Sequence, residues 1–148
     1  YNEISRRYTD FNIEFYEPEA FRTQHKSNRQ ASNEELIDPK VIYHQLPDGA
    51  SSCASQLVKN HNGSSLRLYN ALLGAGICRE QARGVLPQNM YTEYYGTANL
   101  NNIFKFVGLR MHEGAQWEIQ QVAKAVLEII SKLYPETVQA YKEVIDDA

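Results

Sequence analysis

The chain has 148 residues and a mass of 17.0 kDa, a length that predicts one domain. Hydrophobic residues make up 43% of the chain and charged residues 22%, which excludes a wholly disordered protein and allows a real core. No segment approaches the roughly 20 apolar residues of a membrane helix, and no signal peptide opens the sequence, so we expect no membrane partner. The two cysteines, Cys53 and Cys78, cannot build a disulfide framework, and a cytoplasmic location is expected.

The formal net charge of −3 conceals a positive middle region. Residues 51–110 carry 6 Lys/Arg and 2 Asp/Glu, a local charge of +4. An acidic chain of this kind is a poor general nucleic-acid binder, and we expect no nucleic-acid partner. The positive middle region suits a small phosphorylated ligand, because a few well-placed cations then matter more than the total charge of the chain. The alternative is an ordinary solvated helical surface.

The first half of the chain shows weak periodicity. Apolar and polar residues alternate over 11–15 and predict a short strand. Residues 18–50 are rich in Pro, Ser and Asn without periodicity, and they predict a loop with at most one short helix. Residues 51–73 predict a helix, weakened at its centre by Asn62 and the glycine that follows, and ended by Gly74.

The second half gives clearer signals. Short helices are predicted at 79–86 and 101–110, with a strand at 90–96 between them. A long amphipathic helix is predicted at about 115–133, followed after a proline by a last helix at 137–144. The core-facing stripe of the long helix is predicted to comprise Ile119, Val122, Val126, Ile129, Ile130 and Leu133.

The usual short chemical signatures are absent from the sequence. It contains no glycine-rich phosphate loop, no His-Glu-x-x-His and no Cys-x-x-Cys, and its four histidines are scattered, so no metal site is expected. Two arginines, Arg83 and Arg110, lie on mostly apolar predicted helices. Each either extends its charged end to solvent or meets an anion, because a buried unpaired guanidinium is costly. Asn99 precedes a predicted helix and is expected to cap it, and Gln116 opens the long helix.

Four ordered blocks of sequence resemble the flavin-dependent thymidylate synthases. Residues 2–8 (Asn-Glu-Ile-Ser-Arg-Arg-Tyr) are similar to the family's Asn-Glu-x-Ser-x-Arg-Tyr. Residues 80–87 (Glu-Gln-Ala-Arg-Gly-Val-Leu-Pro) are similar to its Glu-x-Ala-Arg-x-Val-Leu-Pro. The third block is Thr-Ala-Asn at 97–99. The fourth block combines Leu-Arg at 109–110 with Ala-Gln-Trp-Glu-Ile at 115–119, and all four follow in the family's order.

This resemblance implies an α/β fold of the α+β type, with a twisted sheet and a helix-rich C-terminal part. It covers about residues 1–17 and 66–145, and it leaves 18–65 as a variable segment. The single domain 1–148 would then be the C-terminal two-thirds of a thymidylate synthase domain, and the family's Arg-His-Arg would lie upstream of Tyr1.

The resemblance also implies the chemistry. Members of the family methylate dUMP to dTMP, with methylenetetrahydrofolate as carbon donor and FAD reduced by NADPH, in active sites shared within a homotetramer. Arg110 would be catalytic, as a cation at the uracil ring. The residues implied for dUMP are Glu3, Ile4, Ser5, Arg6, Arg7, Arg83 and Arg110. The residues implied for FAD are Glu3, Asn99, Leu100, Asn101 and Lys105.

Three details qualify these assignments. Ser5 has no histidine or carboxylate at triad spacing, so a hydrogen-bonding role is favoured over a nucleophilic one. The family commonly has Arg at position 101 and His or Asn at 105, whereas this chain has Asn101 and Lys105. Because these positions are four apart on a predicted helix, we expect Lys105 to supply the cation missing at 101.

Two alternatives remain open on the sequence. The chain could be an inactive remnant that keeps only nucleotide or flavin binding, or oligomerisation. It could instead be a helix-turn-helix-like nucleic-acid module, with Leu72–Gly76 leading into a second helix at Arg79–Leu86. The low positive charge of that second helix argues against the module.

Overall fold

The computed structural model describes residues 2–6, 8–9, 12–29, 31–43, 47 and 50–146. These residues form two compact units. The first unit comprises Tyr1–Phe21 and Leu36–Gly96, and the second comprises Arg22–Glu35 and Thr97–Ala148.

Helices and short strands make up both units, which confirms the mixed α/β class. The strands are β1 (Asn2–Glu3), β2 (Phe21–Gln24), β3 (Ser32–Ile37), β4 (Lys40–Ile42), β5 (Ser51–Cys53) and β6 (Tyr94–Tyr95). The helices are α1 (Ala54–Gly74), α2 (Arg79–Ala82), α3 (Leu100–Arg110), α4 (Trp117–Leu133) and α5 (Pro135–Asp146), with a 3₁₀ turn at Arg83–Val85. Instead of one twisted sheet, the described strands pair two by two, as β1–β6, β2–β3 and β4–β5.

The long helix α1 is the main element of the first unit. It confirms the helix predicted at 51–73, and it ends where glycines allow the chain to turn. Gly76 has φ +85°, and the amide of Ile77 donates to the carbonyl of Leu72 at 3.0 Å. Tyr69 on α1 and Ala82 on α2 are fully buried and form the centre of this unit.

The N-terminus of α1 is capped by a residue from outside the helix. Cys53, at the N-cap position, makes no capping hydrogen bond with its side chain. The carboxylate of Asp38 caps the helix instead. It accepts hydrogen bonds from the backbone amide of Ser55 at 2.9 Å and from the Ser55 hydroxyl at 2.7 Å. The hydrogen bond from the Ser55 amide, followed by that from its hydroxyl, lowers the pKa of Asp38 below its usual 3.8.

The residue expected to weaken the centre of α1 has a packing role. Asn62 is only 1% exposed, and its amide nitrogen donates to Glu17 Oε1 at 3.1 Å. Its amide oxygen accepts from Asn89 Nδ2 at 3.1 Å. The buried amide thus joins α1 to two other segments of its unit, and the helix continues through it unbroken.

The second unit is built on α3, α4 and α5, close to the three predicted C-terminal helices. Its core comprises Val107, Ala123, Ile130 and Val138, each at most 5% exposed. The predicted stripe on α4 is only partly covered, and the prediction was wrong for Val122, Ile129 and Leu133, which are 50–64% exposed. The reason is that α4 packs against the core only through the face that contains Ala123 and Ile130, which is narrower than the predicted stripe.

Residues 18–50 contain strands where a loop was predicted, so that prediction was wrong. Polar side chains join β2 and β3: Asn33 Nδ2 donates to Thr23 Oγ1 at 3.0 Å and to the Gln24 carbonyl at 3.1 Å. Arg22 Nε donates to Ser32 Oγ at 2.9 Å. Because these cross-strand contacts are polar, the strands lack the apolar alternation that would have predicted them.

Arg22 also joins this pair of strands to α4. Its guanidinium forms an ion pair with Glu118 and lies 4.9 Å from the centroid of the Trp117 ring. Partial burial of Glu118 by itself raises the pKa of that carboxyl group. Hydrogen bonds from Arg22, the Glu118 backbone amide and Gln116, together with the charge of Arg22, outweigh burial and lower the pKa below 4.5.

Candidate functional site

The N-terminal segment lies alongside residues 89–95 in the first unit. Glu3 of β1 is paired with Tyr94 of β6, and the amide of Ile4 donates to the carbonyl of Glu93 at 2.9 Å. Further along, a single bridge joins Phe15 to Met90. Of the strand predicted over 90–96, the described residues form the short β6 and the bridge at Met90. Of the strand predicted over 11–15, they form the bridge at Phe15, and Phe11 lies outside the described residues.

A cleft of about 470 Å³ opens between this paired segment and the 3₁₀ turn. Five of its lining residues are those that the motifs singled out for a nucleotide, and four were not predicted. The lining residues are Glu3, Ile4, Ser5, Arg6, Arg83, Leu86, Gln88, Met90 and Thr92.

Arg83 enters the cleft from the turn that follows α2. The buried Ala82 anchors this turn, and the amide of Leu86 closes it by donating to the Arg83 carbonyl at 3.1 Å. The Arg83 side chain is exposed and has no hydrogen-bond or ion-pair partner within the described residues. A free guanidinium in a concave surface is a ready anion-binding group.

The opposite side of the cleft is a tight turn. The carbonyl of Ser5 accepts from the amides of Tyr8 and Thr9 and from the Thr9 hydroxyl. Arg6 Nη2 donates to the carbonyl of Asn12 at 3.2 Å, where the chain has the left-handed φ of 50°. Arg7 lies outside the described residues, so its assignment to the nucleotide stays a prediction.

The third wall is the segment after the 3₁₀ turn, which the sequence analysis did not assign to the site. Its cleft-lining members are Leu86, Gln88, Met90 and Thr92. Gln88 lies in a turn that the Met90 amide closes by donating to the Pro87 carbonyl at 3.3 Å, and Met90 and Thr92 lie beyond this turn. A period of two places alternate side chains on one side of an extended chain. The alternation of residues 90–96 with their neighbours was therefore the signal that could have placed Met90 and Thr92 in the site.

The remaining predicted site residues belong to the second unit and lie on α3. Asn99 caps this helix, since its Oδ1 accepts from the amide of Asn102 at 2.9 Å, which confirms the predicted capping role. Asn101 and Lys105 are both exposed, and their spacing places them on one helix face. Arg110 is exposed at the end of α3, and its assignment to dUMP stays a prediction.

The start of α3 fits a negatively charged group. Its first turn carries no acidic residue, and the exposed Lys105 lies one turn further along. Helix N-termini favour anions through their free amides and dipole. The start of α3 therefore suits an anionic group, although the Asn102 amide is already occupied by the Asn99 cap.

A second cavity in the first unit has a different character. It measures about 530 Å³ and contains no Lys or Arg, so it is not suited to a phosphate. It is lined by Tyr16, Pro18, Phe21, Tyr43, Leu57, Val58, His61, Asn62 and Asn89.

The described residues contain neither a metal-binding cluster nor a membrane-spanning helix. No three His, Cys, Asp or Glu residues of the described chain lie close enough together to hold a metal ion. None of the helices in that part of the chain combines the length and apolar character needed to cross a bilayer.

Comparison with known proteins places the chain in a family. The profile of the family described as "Thymidylate synthase complementing protein" matches residues 1–136, and the chain belongs to this family. A flavin-dependent thymidylate synthase of Thermus thermophilus is 42% identical over 142 residues, 96% of this chain and 48% of that protein. The enzyme of the same name from Kosmotoga olearia is 39% identical over 140 residues, 95% of this chain and 56% of that protein. The chain thus spans about half the length of these curated relatives.

Proposed function

We propose that the cleft binds dUMP and that the chain serves the FAD-dependent methylation of dUMP to dTMP. The observation that supports this most strongly is the unpartnered guanidinium of Arg83 in one cleft with residues 3–6. These two segments are about eighty residues apart in sequence, and both were assigned to a nucleotide by their motifs. The names of the relatives support the same reaction.

The lining of the cleft is suited to a nucleoside monophosphate. A guanidinium fork matches the geometry of phosphate oxygens, and Arg83 and Arg6 would hold that end of dUMP. The apolar side chains of Leu86 and Met90 would pack against the less polar faces of the ligand, and Ser5 would contribute a hydrogen bond. The volume of about 470 Å³ lies within the range of small-molecule sites.

The other roles in this reaction are part of the same proposal. Arg110 would stabilise negative charge that develops on the uracil ring. The start of α3, with Asn99, Leu100, Asn101 and Lys105, would hold FAD, which supplies hydride when bound and reduced by NADPH. Methylenetetrahydrofolate would donate the carbon.

A homotetramer with shared active sites and a cytoplasmic location complete the proposal. The tetramer follows from the family resemblance, and the location follows from the two cysteines, which cannot build a disulfide framework.

Substitution of Arg83 tests this proposal, with substitution of Arg67 as a matched control. Arg83→Gln should weaken dUMP binding about tenfold or more, since a charge-assisted bond contributes roughly 1.5–3 kcal/mol. Arg67→Gln makes the same charge change at an exposed site on α1, where Arg67 Nη2 donates to Ser64 Oγ, and it should leave the affinity unchanged. Isothermal titration of the chain with dUMP and with deoxyuridine measures both effects. Equal weakening by the two variants, or equal affinity for the two ligands, would contradict the proposal.

The two alternatives are separated by further observations. An assay for dTMP with methylenetetrahydrofolate, NADPH and FAD distinguishes an enzyme from a remnant that binds dUMP without turnover. The helix-turn-helix alternative is disfavoured, because α2 has only 4 residues, too few to lie along a DNA groove.

A further inference from the structure

The cleft contains a carboxylate as well as guanidinium groups, and this carboxylate is held in place. Thr92 Oγ1 donates a hydrogen bond to Glu3 Oε1 at 3.1 Å. Both residues line the cleft that Arg83 enters, yet no hydrogen bond or ion pair joins Glu3 to Arg83. The negative and positive groups of one small cleft are therefore kept apart.

A released Glu3 carboxylate would compete with an anionic ligand. Glu3 and Arg83 have long, flexible side chains and share a cleft of about 470 Å³. Carboxylate and guanidinium form strong bidentate pairs where both can reach. Such a pair would occupy the free cation that a phosphate needs.

The backbone around Glu3 is held mainly by backbone hydrogen bonds, although Thr92 Oγ1 also makes a longer contact of 3.5 Å with the Ile4 carbonyl. The antiparallel pairing of β1 with β6 fixes Glu3 opposite Tyr94, and the Ile4 amide is bonded to the Glu93 carbonyl. Thr92 itself is exposed. Removing its hydroxyl group should therefore change the position of the Glu3 side chain and leave the strand pairing intact.

We propose that Thr92 is a positioning residue for ligand binding: its hydroxyl holds the Glu3 carboxylate away from Arg83, so that the guanidinium is available to a phosphate monoester. This inference rests on the proposed function, in which Arg83 meets the phosphate of the nucleotide. It adds a residue that acts through Glu3 and has no direct part in the reaction.

The test uses the whole chain and five variants, one of them Glu3→Gln, with inorganic phosphate and dUMP as ligands. Thr92→Val keeps the shape and removes the hydroxyl, and it should weaken phosphate and dUMP binding about 3- to 10-fold. Thr92→Ser should retain wild-type affinity, and Thr137→Val, an exposed change on α5, is the matched control. The thermal unfolding midpoint of Thr92→Val should equal that of wild type.

The decisive variant is the double mutant Thr92→Val with Glu3→Gln, titrated with inorganic phosphate. Because no carboxylate remains to pair with Arg83, the double mutant should bind phosphate as tightly as Glu3→Gln alone. A double mutant weaker than Glu3→Gln by the same factor that separates Thr92→Val from wild type would show a general structural loss and overturn the inference. Wild-type affinity in Thr92→Val would also overturn it, while leaving the proposed function standing. A wild-type chain that binds neither ligand would overturn both.

Discussion

Asp38 lies seventeen residues before the amide that it caps, at Ser55 near the start of α1. Its pKa is lowered in the folded chain, so its ionised form favours folding. The contribution is fully present above the ordinary value of about 3.8 and is lost as the pH falls through the lower folded pKa.

Asp38→Asn should therefore lower the thermal unfolding midpoint at pH 7, because the amide is a weaker acceptor for the Ser55 groups. The gap between this variant and wild type should narrow at pH 3. Thermal unfolding followed by circular dichroism at both pH values measures this, with Glu34→Gln on β3 as an exposed control. A gap that stays the same or widens in acid would show that the carboxylate does not act as the cap.

The residues of the cleft differ in how far the sequence could predict them. Glu3 to Arg6 and Arg83 carry motifs, and the structure places them in one cleft. Gln88 and Thr92 carry none, and their place depends on the path of the chain after the 3₁₀ turn, through the turn closed by the Met90 amide and the Pro87 carbonyl. A hydrogen bond such as that from Thr92 to Glu3 forms between distant segments, so no local pattern predicts it.

Among the elements, the helices were predictable and the strands were not. The predicted bounds of α1, α3 and α4 differ from the observed ones by a few residues, because an amphipathic helix repeats a local pattern. The strands β2 and β3 are joined by polar contacts such as Asn33 to Thr23, which leave no apolar alternation. Periodicity also gave the wrong width for the buried face of α4, since burial depends on what packs against the helix.

Two adjacent isoleucines on α4 test this description of its buried face. Ile130 is 5% exposed and Ile129 is 57% exposed. Ile130→Ala should reduce the free energy of unfolding by about 2–5 kcal/mol, because it leaves a cavity. Ile129→Ala should change it by about 0.5 kcal/mol or less. Urea denaturation measures both, and similar losses in the two variants would show that α4 is covered on its other face as well.

For the molecule as a whole, the comparisons show its family, whereas its activity is a proposal. The family profile matches residues 1–136, whereas the chain spans about half the length of its curated relatives. The cleft and its arginine are nevertheless formed by one unit of this chain. Nucleotide binding is therefore the part of the proposed function that a titration of this chain tests directly.

The measurement that tests this claim most directly is an NMR titration of the ¹⁵N-labelled chain with dUMP. If the cleft is the nucleotide site, the largest amide shifts should occur at Ser5, Arg6 and Gln88, with Arg83 among them. The apolar cavity serves as the internal control, and the amides of Leu57 and Val58 should stay unchanged. Shifts that cluster around that cavity, or no shifts at all at high dUMP concentration, would contradict the assignment of the cleft.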